Sequence, residues 1–161
     1  MRILGIDPGF GTLGWAIIEH NLRIIEYGAI QTSKDDDIAQ RLLRIHVDII
    51  EIIERLQPDC MAVERLYFSK NTKTAMDVAK CIGVIMLTTR LLGIEYSEYS
   101  PSQIKHALTG YGRATKEQMQ KMVMKIFRIE ELPEPDDAAD ALAIAACHSF
   151  NFGNNRRNVI H

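Results

Sequence analysis

The chain has 161 residues, of which 47% are hydrophobic and 25% are charged, the length of about one domain and the composition of an ordinary globular protein. This composition excludes a disordered chain and a collagen-like repeat. Nineteen basic and twenty-one acidic side chains leave a formal net charge of -2. Taken over the whole chain, this balance disfavours a protein that coats nucleic acid through bulk charge.

The sequence predicts neither a targeting segment nor a membrane segment. The first apolar run stops at Asp7, before the length of a secretory signal is reached. The most apolar stretch, residues 81–87, is far shorter than the ~20 apolar residues that cross a bilayer. The cysteines lack CxxC spacing and lie in apolar surroundings, which is typical of buried, reduced thiols. They are Cys60, Cys81 and Cys147. We therefore expect a cytoplasmic protein.

The first thirty residues predict a meander of three strands. Residues 2–6 form a short buried strand that ends at Asp7, and a glycine-rich turn follows. Further strands are predicted at 15–18 and 23–30, and their close succession indicates antiparallel pairing.

A helix and a fourth strand follow the meander. Asp37 and Gln40 form a capping box that opens a helix over residues 38–56, with one apolar face. Residues 60–63 then form a second short apolar run, which is again followed by a carboxylate, Glu64.

The second half of the chain is mainly helical. Residues 73–92 predict a helix with apolar residues on more than one side, and a fifth strand is expected at 94–99. A short helix follows at 101–108, and a capping box of Thr115 with Gln118 begins another that runs to 127. The last helix is predicted at 136–150. The expected fold is a mixed α/β sheet flanked by helices, in one domain over residues 1–153 with a loose tail at 154–161.

Four carboxylates occupy unusual positions in this pattern. Asp7 and Glu64 end two buried strands, at the rim of the sheet where α/β proteins bind ligands. Asp137 and Asp140 are three residues apart, so they share one face of a helix that is otherwise rich in alanine. Any one of these acids could be a helix cap or a charge that faces water. Buried together, they would be costly unless a cation bound them.

The joint pattern predicts a site for hard divalent cations, because Mg²⁺ prefers oxygen ligands and shares its coordination shell with phosphate and water. Two such ions can support hydrolysis of a phosphodiester bond. The sequence contains no zinc-type cluster. The five histidines are scattered along the chain, and we expect a structural or surface role for each.

Three motifs together resemble the Holliday-junction resolvases of the RuvC family. They are GIDPGFGTLGWAII at residues 5–18, VER at 63–65 with Tyr67, Phe68 and Lys70 after it, and DAADALAIA at 137–145. Their order and separation also match, and the resemblance extends from residue 1 to about 150. A single strand followed by Asp-Pro-Gly would be a weak signal, because sugar kinases and actin-like ATPases have similar loops.

The resemblance implies a ribonuclease H-like fold with a five-stranded mixed sheet flanked by helices. It further implies a Mg²⁺- or Mn²⁺-dependent endonuclease, with two metals per active site, that acts as a homodimer on four-way DNA junctions. The family's acidic ligands fall on Asp7, Glu64, Asp137 and Asp140. Cleavage would leave a 5′ phosphate and a 3′ hydroxyl, and a branch-migration helicase complex is an implied partner.

Positive charge is concentrated in two segments. Residues 65–90 contain five basic side chains and one acidic side chain, and residues 101–128 contain six and one. Lys105 and Lys116 match lysines that the family uses against DNA phosphate. Arg113 precedes Lys116 in a glycine-containing loop that could approach a DNA backbone closely. The remaining charges in the second segment could equally form a solvated helix face.

Two further features have a structural and a functional interpretation. Tyr67 and Phe68, next to Lys70, could fill the core or could stack on bases opened at the crossover; Tyr67 matches an aromatic position of the family. The helix at 73–92 could be internal, or it could be the family's dimer-interface helix, with Gly83 allowing close approach.

Three other functions compete with a junction nuclease. An ATP-binding module of the actin and sugar-kinase type would need a second domain of comparable size. A module that binds junctions without cutting them would not need all four acids. A related nuclease acting on structured RNA is the closest alternative.

Overall fold

The computed structural model describes residues 1–66 and 72–157, with the side chains of residues 1–66 and 75–152. The strands are β1 (Arg2–Asp7), β2 (Thr12–Glu19), β3 (Ile24–Gln31), β4 (Cys60–Glu64) and β5 (Glu95–Tyr99). The helices are α1 (Ile38–Leu56), α2 (Thr72–Leu91), α3 (Pro101–Thr109), α4 (Lys116–Phe127) and α5 (Asp136–Arg157).

The strands form one mixed sheet in the order β3-β2-β1-β4-β5. Strands β1, β2 and β3 pair antiparallel, which confirms the predicted meander. Strands β4 and β5 join β1 in parallel. The sheet therefore has its parallel strand ends, from β1 and β4, side by side at its centre.

Helices cover both faces of the sheet, and strand side chains alternate between the two layers. Leu4, Ile6 and Val63 belong to the apolar cluster beneath α1 and α2. Ile3 and Ala62 belong to the opposite cluster, which contains α3, α4 and α5. Because the side-chain period of a strand is two residues, the next residues after Ile6 and Val63 point to the α5 side.

Capping boxes begin three of the helices. In the two predicted boxes, the side chain of Asp37 accepts a hydrogen bond from the backbone of Gln40, and that of Thr115 accepts one from Gln118. A third box, which the sequence analysis did not predict, starts α3 at Ser100. These caps satisfy backbone N–H groups that would otherwise lack partners at the first turn.

Two predicted boundaries were wrong. Strand β2 starts at Thr12 rather than at residue 15, because its backbone pairs along its length with both β1 and β3 despite Gly14. Helix α5 continues to Arg157 instead of ending at 150. The extension carries Phe152, whose ring packs 6.0 Å from that of His20 and 6.1 Å from that of His148.

The tail expected from residue 154 therefore begins within the helix, and residues 158–161 lie outside the described part of the chain. Within the described residues, no helix has the length and apolar character needed to cross a bilayer.

Candidate active site

Asp7 and Glu64 lie side by side at the centre of the sheet. Ile6 is paired with Val63 in the parallel β1–β4 ladder, so the two acids that follow end adjacent strands at the same edge. Both are partly buried. The alternation of the strands directs both carboxylates toward α5.

Helix α5 brings the other two acids to this edge, because glycines let its backbone contact the sheet. A Cβ atom on Gly5 would overlap the carbonyl oxygen of Ala141, and one on Gly14 would overlap that of Asp137. Gly14 is also the β2 partner of Asp7. The first turns of α5, with Asp137 and Asp140, are therefore held against the end of β1.

Three of the four acids open into one cavity of about 180 Å³. Asp7, Glu64 and Asp140 line it together with Lys105 and Lys116. The rest of its wall comes from Pro101, Ile104, Met119, Ala143 and Ile144. Asp137 lies outside this lining. The cavity thus presents carboxylates and ammonium groups against an apolar wall.

Burial and mutual repulsion make these carboxylates hard to ionise. Burial, together with the negative charges of Glu64, Asp140 and Asp137, raises the pKa of Asp7 from 3.8 to about 7. Burial also raises the pKa values of Glu64 and Asp140. A bound cation would stabilise the ionised form of such a group of acids.

The two lysines partly offset this repulsion. The charge of Lys105 lowers the pKa of Glu64, and that of Lys116 lowers the pKa values of Asp7 and Asp140. The Lys116 ammonium donates a 2.8 Å hydrogen bond to Asp136, which is exposed at the start of α5. This bond is the main reason that the pKa of Lys116 is raised.

The donor set fits magnesium or manganese. The candidate ligands are all carboxylate oxygens, and the cavity between them adjoins cations suited to phosphate. Among the residues that the structure describes, no three histidine, cysteine, aspartate or glutamate side chains form a ready-made metal cluster.

Comparison with known proteins identifies the family. The sequence profile of the family described as crossover junction endodeoxyribonuclease RuvC matches residues 3–148. The chain belongs to the RuvC family. This membership confirms the resemblance seen in the sequence motifs, and with it the endodeoxyribonuclease class.

Curated relatives of this RuvC-family chain match it over nearly their whole length. The crossover junction endodeoxyribonuclease RuvC of Halothermothrix orenii is 46% identical over 160 residues, covering 98% of this chain and 97% of that protein. The corresponding protein of Petrotoga mobilis is 48% identical over 161 residues, covering 98% and 96%.

Solved structures of the family have the same fold. Thermus thermophilus RuvC superposes with a TM-score of 0.89 at 32% identity, covering 96% of this chain and 97% of that one. The same protein in complex with a Holliday junction substrate gives a TM-score of 0.90 at 33% identity, with 96% of each chain covered. These matches confirm the predicted ribonuclease H-like fold.

The structure separates the predicted DNA-binding residues of this RuvC-family member into groups. Lys105 and Lys116 line the acid cavity, whereas Arg113 lines a different groove on the other side of α3. Tyr67, Phe68 and Lys70 lie outside the described residues, so their predicted contacts with DNA remain predictions.

Sequence reasoning missed the residues that shape the site without lining it. Asp136 was not selected, although it pairs with Lys116, because nothing in a linear sequence joins two residues of separate helices. Gly5 and Gly14 were interpreted only as strand and turn positions. Glycine within a strand often marks close approach of another backbone, and this signal could have identified both.

Proposed function

We propose that this protein resolves four-way DNA junctions as a homodimer, with Mg²⁺ or Mn²⁺ held at Asp7, Glu64, Asp137 and Asp140. The observation that carries the proposal is the acid cavity itself: three carboxylates from β1, β4 and α5 face two lysines across about 180 Å³. Such a site attracts a cation and a phosphate at the same place. The Thermus thermophilus relative solved with a Holliday junction supports this choice of substrate.

The carboxylates would bind the metal ions, two in each active site. When bound, such ions activate a water molecule and stabilise the departing oxygen of a phosphodiester. Asp7 is central to the set, because every other acid of the four raises its pKa. Asp140 and Glu64 complete the cavity wall, and Asp137 would join the set from the preceding turn of α5.

The lysines would bind and orient the DNA phosphate. Lys116 stands in the first turn of α4, where backbone N–H groups also favour an anion. Lys105 reaches the same cavity from α3. Hydrolysis that releases the 3′ oxygen leaves a 5′ phosphate and a 3′ hydroxyl, ends that a ligase can rejoin.

A second copy of the chain would supply the second cut. Helix α2 exposes Met76, Leu87 and Leu91 by 58%, 60% and 70%. Gly83 lies between them, and a Cβ there would meet nothing within 4 Å. An exposed apolar helix face with an open glycine suits packing against an identical helix. Two subunits would then nick strands of like polarity symmetrically.

The cellular setting follows from the cysteines and the family. Cys60, Cys81 and Cys147 are buried free thiols, and burial raises the pKa of each to about 12. Such inert thiols support a reducing compartment, the cytoplasm. Residues 1–153 would act there as one nuclease domain, and a branch-migration helicase complex is the further partner that the family implies.

The test compares three substrates in the presence of Mg²⁺: a synthetic four-way junction, a linear duplex and a structured RNA. We expect paired nicks in the junction alone. Asp7→Asn should abolish them, whereas Asp35→Asn, in an exposed loop, should not. Cleavage that survives Asp7→Asn would exclude the proposed site, and cleavage of RNA alone would favour the ribonuclease alternative.

A further inference from the structure

A large groove lies next to the acid cavity, across helix α3. Its volume is about 780 Å³, and its wall includes His106, Tyr111, Arg113, Phe150 and Asn151. The two sites share the helix between them. Ile104 and Lys105 line the acid cavity, and the groove begins on the other side of the same turns.

The groove is free of negative charge. No aspartate or glutamate lines it. None occurs in the two segments that form it, residues 100–116 and 141–152. Within the described part of the chain, the Arg113 side chain makes no hydrogen bond or ion pair, whereas Lys116 is engaged by Asp136. An exposed guanidinium in an acid-free groove is suited to bind phosphate.

The loop that carries Arg113 is held in place. The hydroxyl of Thr109 lies 2.8 Å from the carbonyl oxygen of Lys105 and 3.0 Å from that of Tyr111, and it accepts a 3.1 Å hydrogen bond from the N–H of Tyr111. A Cβ on Gly112 would lie 2.8 Å from the hydroxyl of Ser102, so this loop packs closely on α3. The Tyr111 side chain nevertheless remains 59% exposed. A fixed loop that presents an aromatic ring and a cation loses little entropy on binding.

We propose that this groove binds the sugar–phosphate backbone of the duplex arm that leads away from the scissile phosphate. The inference rests on the proposed junction activity and extends it. A helix is about 10–12 Å across, and a DNA duplex rises about 3.4 Å per base pair along its axis. A duplex arm that crosses α3 from the acid cavity would therefore bring Arg113 beside a phosphate about three base pairs further along.

In this arrangement Arg113 binds a backbone phosphate, and His106 of the same groove contributes a hydrogen bond. Tyr111 contacts the deoxyribose beside them. Contacts of this kind position a duplex without reading its sequence. The groove would thus add affinity for a junction that has full-length arms.

The test measures binding to a fluorescent four-way junction by anisotropy in EDTA. Arg113→Gln should weaken binding about three- to ten-fold and reduce the salt dependence by about one counterion. Asn151→Asp, which adds a carboxylate, should weaken it similarly, as should Tyr111→Ser, with Tyr111→Phe restoring affinity. Arg44→Gln, which removes one charge from α1, is the matched control. Melting temperatures verify that each variant is folded.

A second junction identifies the occupant. Neutral methylphosphonates replace the phosphates two to five nucleotides from the cleavage position, and binding by the parent should fall. On this junction Arg113→Gln should not weaken binding further, because the charged phosphate that Arg113 would bind has been replaced. Equal losses on the native and neutralised junctions, or no loss on either, would overturn the groove proposal. Failure of the parent itself to bind or cut a junction would instead overturn the proposed function.

Discussion

Gly14 lies directly against the backbone of Asp137, so closely that a methyl group on its α-carbon would overlap the Asp137 carbonyl. Gly14 is also paired with Asp7 across the β1–β2 ladder. One glycine therefore sets the separation between the first acid of the sheet and the first turn of α5. The active-site geometry therefore requires a residue without a side chain at position 14.

Substitution of Gly14 should therefore lower the cleavage rate strongly, although it should lower the free energy of unfolding only moderately. Gly14→Ala would push the start of α5 away from β1 and cost about 1–3 kcal/mol of unfolding free energy. A displacement of about 1 Å can lower a rate about 100-fold. Cleavage rates and thermal melts of Gly14→Ala and Gly11→Ala test this, since a Cβ on Gly11 meets nothing closer than Arg41 at 3.9 Å. Equal rates for the two variants would contradict the expectation.

The raised pKa of Asp7 predicts that the metal-free protein loses stability as the pH rises. The folded-state pKa is about 7, against an ordinary value of 3.8. The unfolded chain therefore releases this proton first, and the folded state is penalised between about pH 4 and pH 7. At about 1.4 kcal/mol per pKa unit, the penalty is on the order of 4 kcal/mol.

Asp7→Asn should remove this penalty. In EDTA at pH 8, the variant should melt several degrees above the parent, and at pH 4 the two should converge. Asp35→Asn serves as the exposed control and should follow the parent at both values. Melting curves of parent and Asp7→Asn that stay parallel from pH 4 to pH 8 would show that burial of Asp7 is not costly.

Divalent cations should stabilise the protein, and more strongly at higher pH. Metal and protons compete for Asp7, Glu64 and Asp140, whose pKa values are all raised. A metal concentration 100 times the dissociation constant adds about 2.7 kcal/mol. Millimolar Mg²⁺ or Mn²⁺ should therefore raise the melting temperature more at pH 8 than at pH 6.

The metal-induced rise in melting temperature should depend on whether the substituted acid lines the cavity. Asp140→Asn should lose most of the metal-induced shift, whereas Asp137→Asn should retain more of it, because Asp137 does not line the cavity. Calorimetric titration with Mn²⁺ provides the same comparison directly. A larger loss for Asp137→Asn would mean that the metals lie nearer to the helix start.

Asp136 should compete with DNA for Lys116. The two side chains form a 2.8 Å ion pair in which both are more than half exposed, so the pair adds little to stability. Asp136→Asn would free the ammonium group and remove a negative charge from the site entrance. Junction affinity should rise about two- to five-fold, as expected for a surface interaction of up to about 1 kcal/mol. A Lys116→Gln background should eliminate the gain, and persistence of the gain there would implicate another cation.

The exposed face of α2 should determine the oligomeric state. Leu87→Glu or Leu91→Glu places a charge on that face and should convert a dimer to a monomer at micromolar concentration. Light scattering coupled to gel filtration measures the change. Tyr27→Glu is the control, since Tyr27 is also exposed but lies on β3, at the sheet edge opposite β5. A parent that elutes as a monomer would contradict the homodimer.

Several elements of this architecture could be predicted from short-range sequence patterns. The capping boxes at Asp37 and Thr115 predicted two helix starts correctly, because a cap is a local bond between residues three apart. The short apolar runs before Asp7 and Glu64 predicted two strands that end at the rim of the sheet, and the structure places these strands side by side. The end of α5 was missed, since the contacts of Phe152 with His20 and His148 connect distant parts of the chain.

The net charge of -2, taken over the whole chain, disfavours a nucleic-acid partner, but the positive charge is concentrated in two segments. The sequence by itself determined the four acids, the basic segments and the family motifs, because these are properties of residue type and spacing. Only the tertiary structure decided that Lys105 and Lys116 face the acids while Arg113 faces a separate groove, and that Asp136 engages Lys116. Helix packing sets those distances, through close contacts such as that of Gly14 with Asp137, between residues that the chain separates widely.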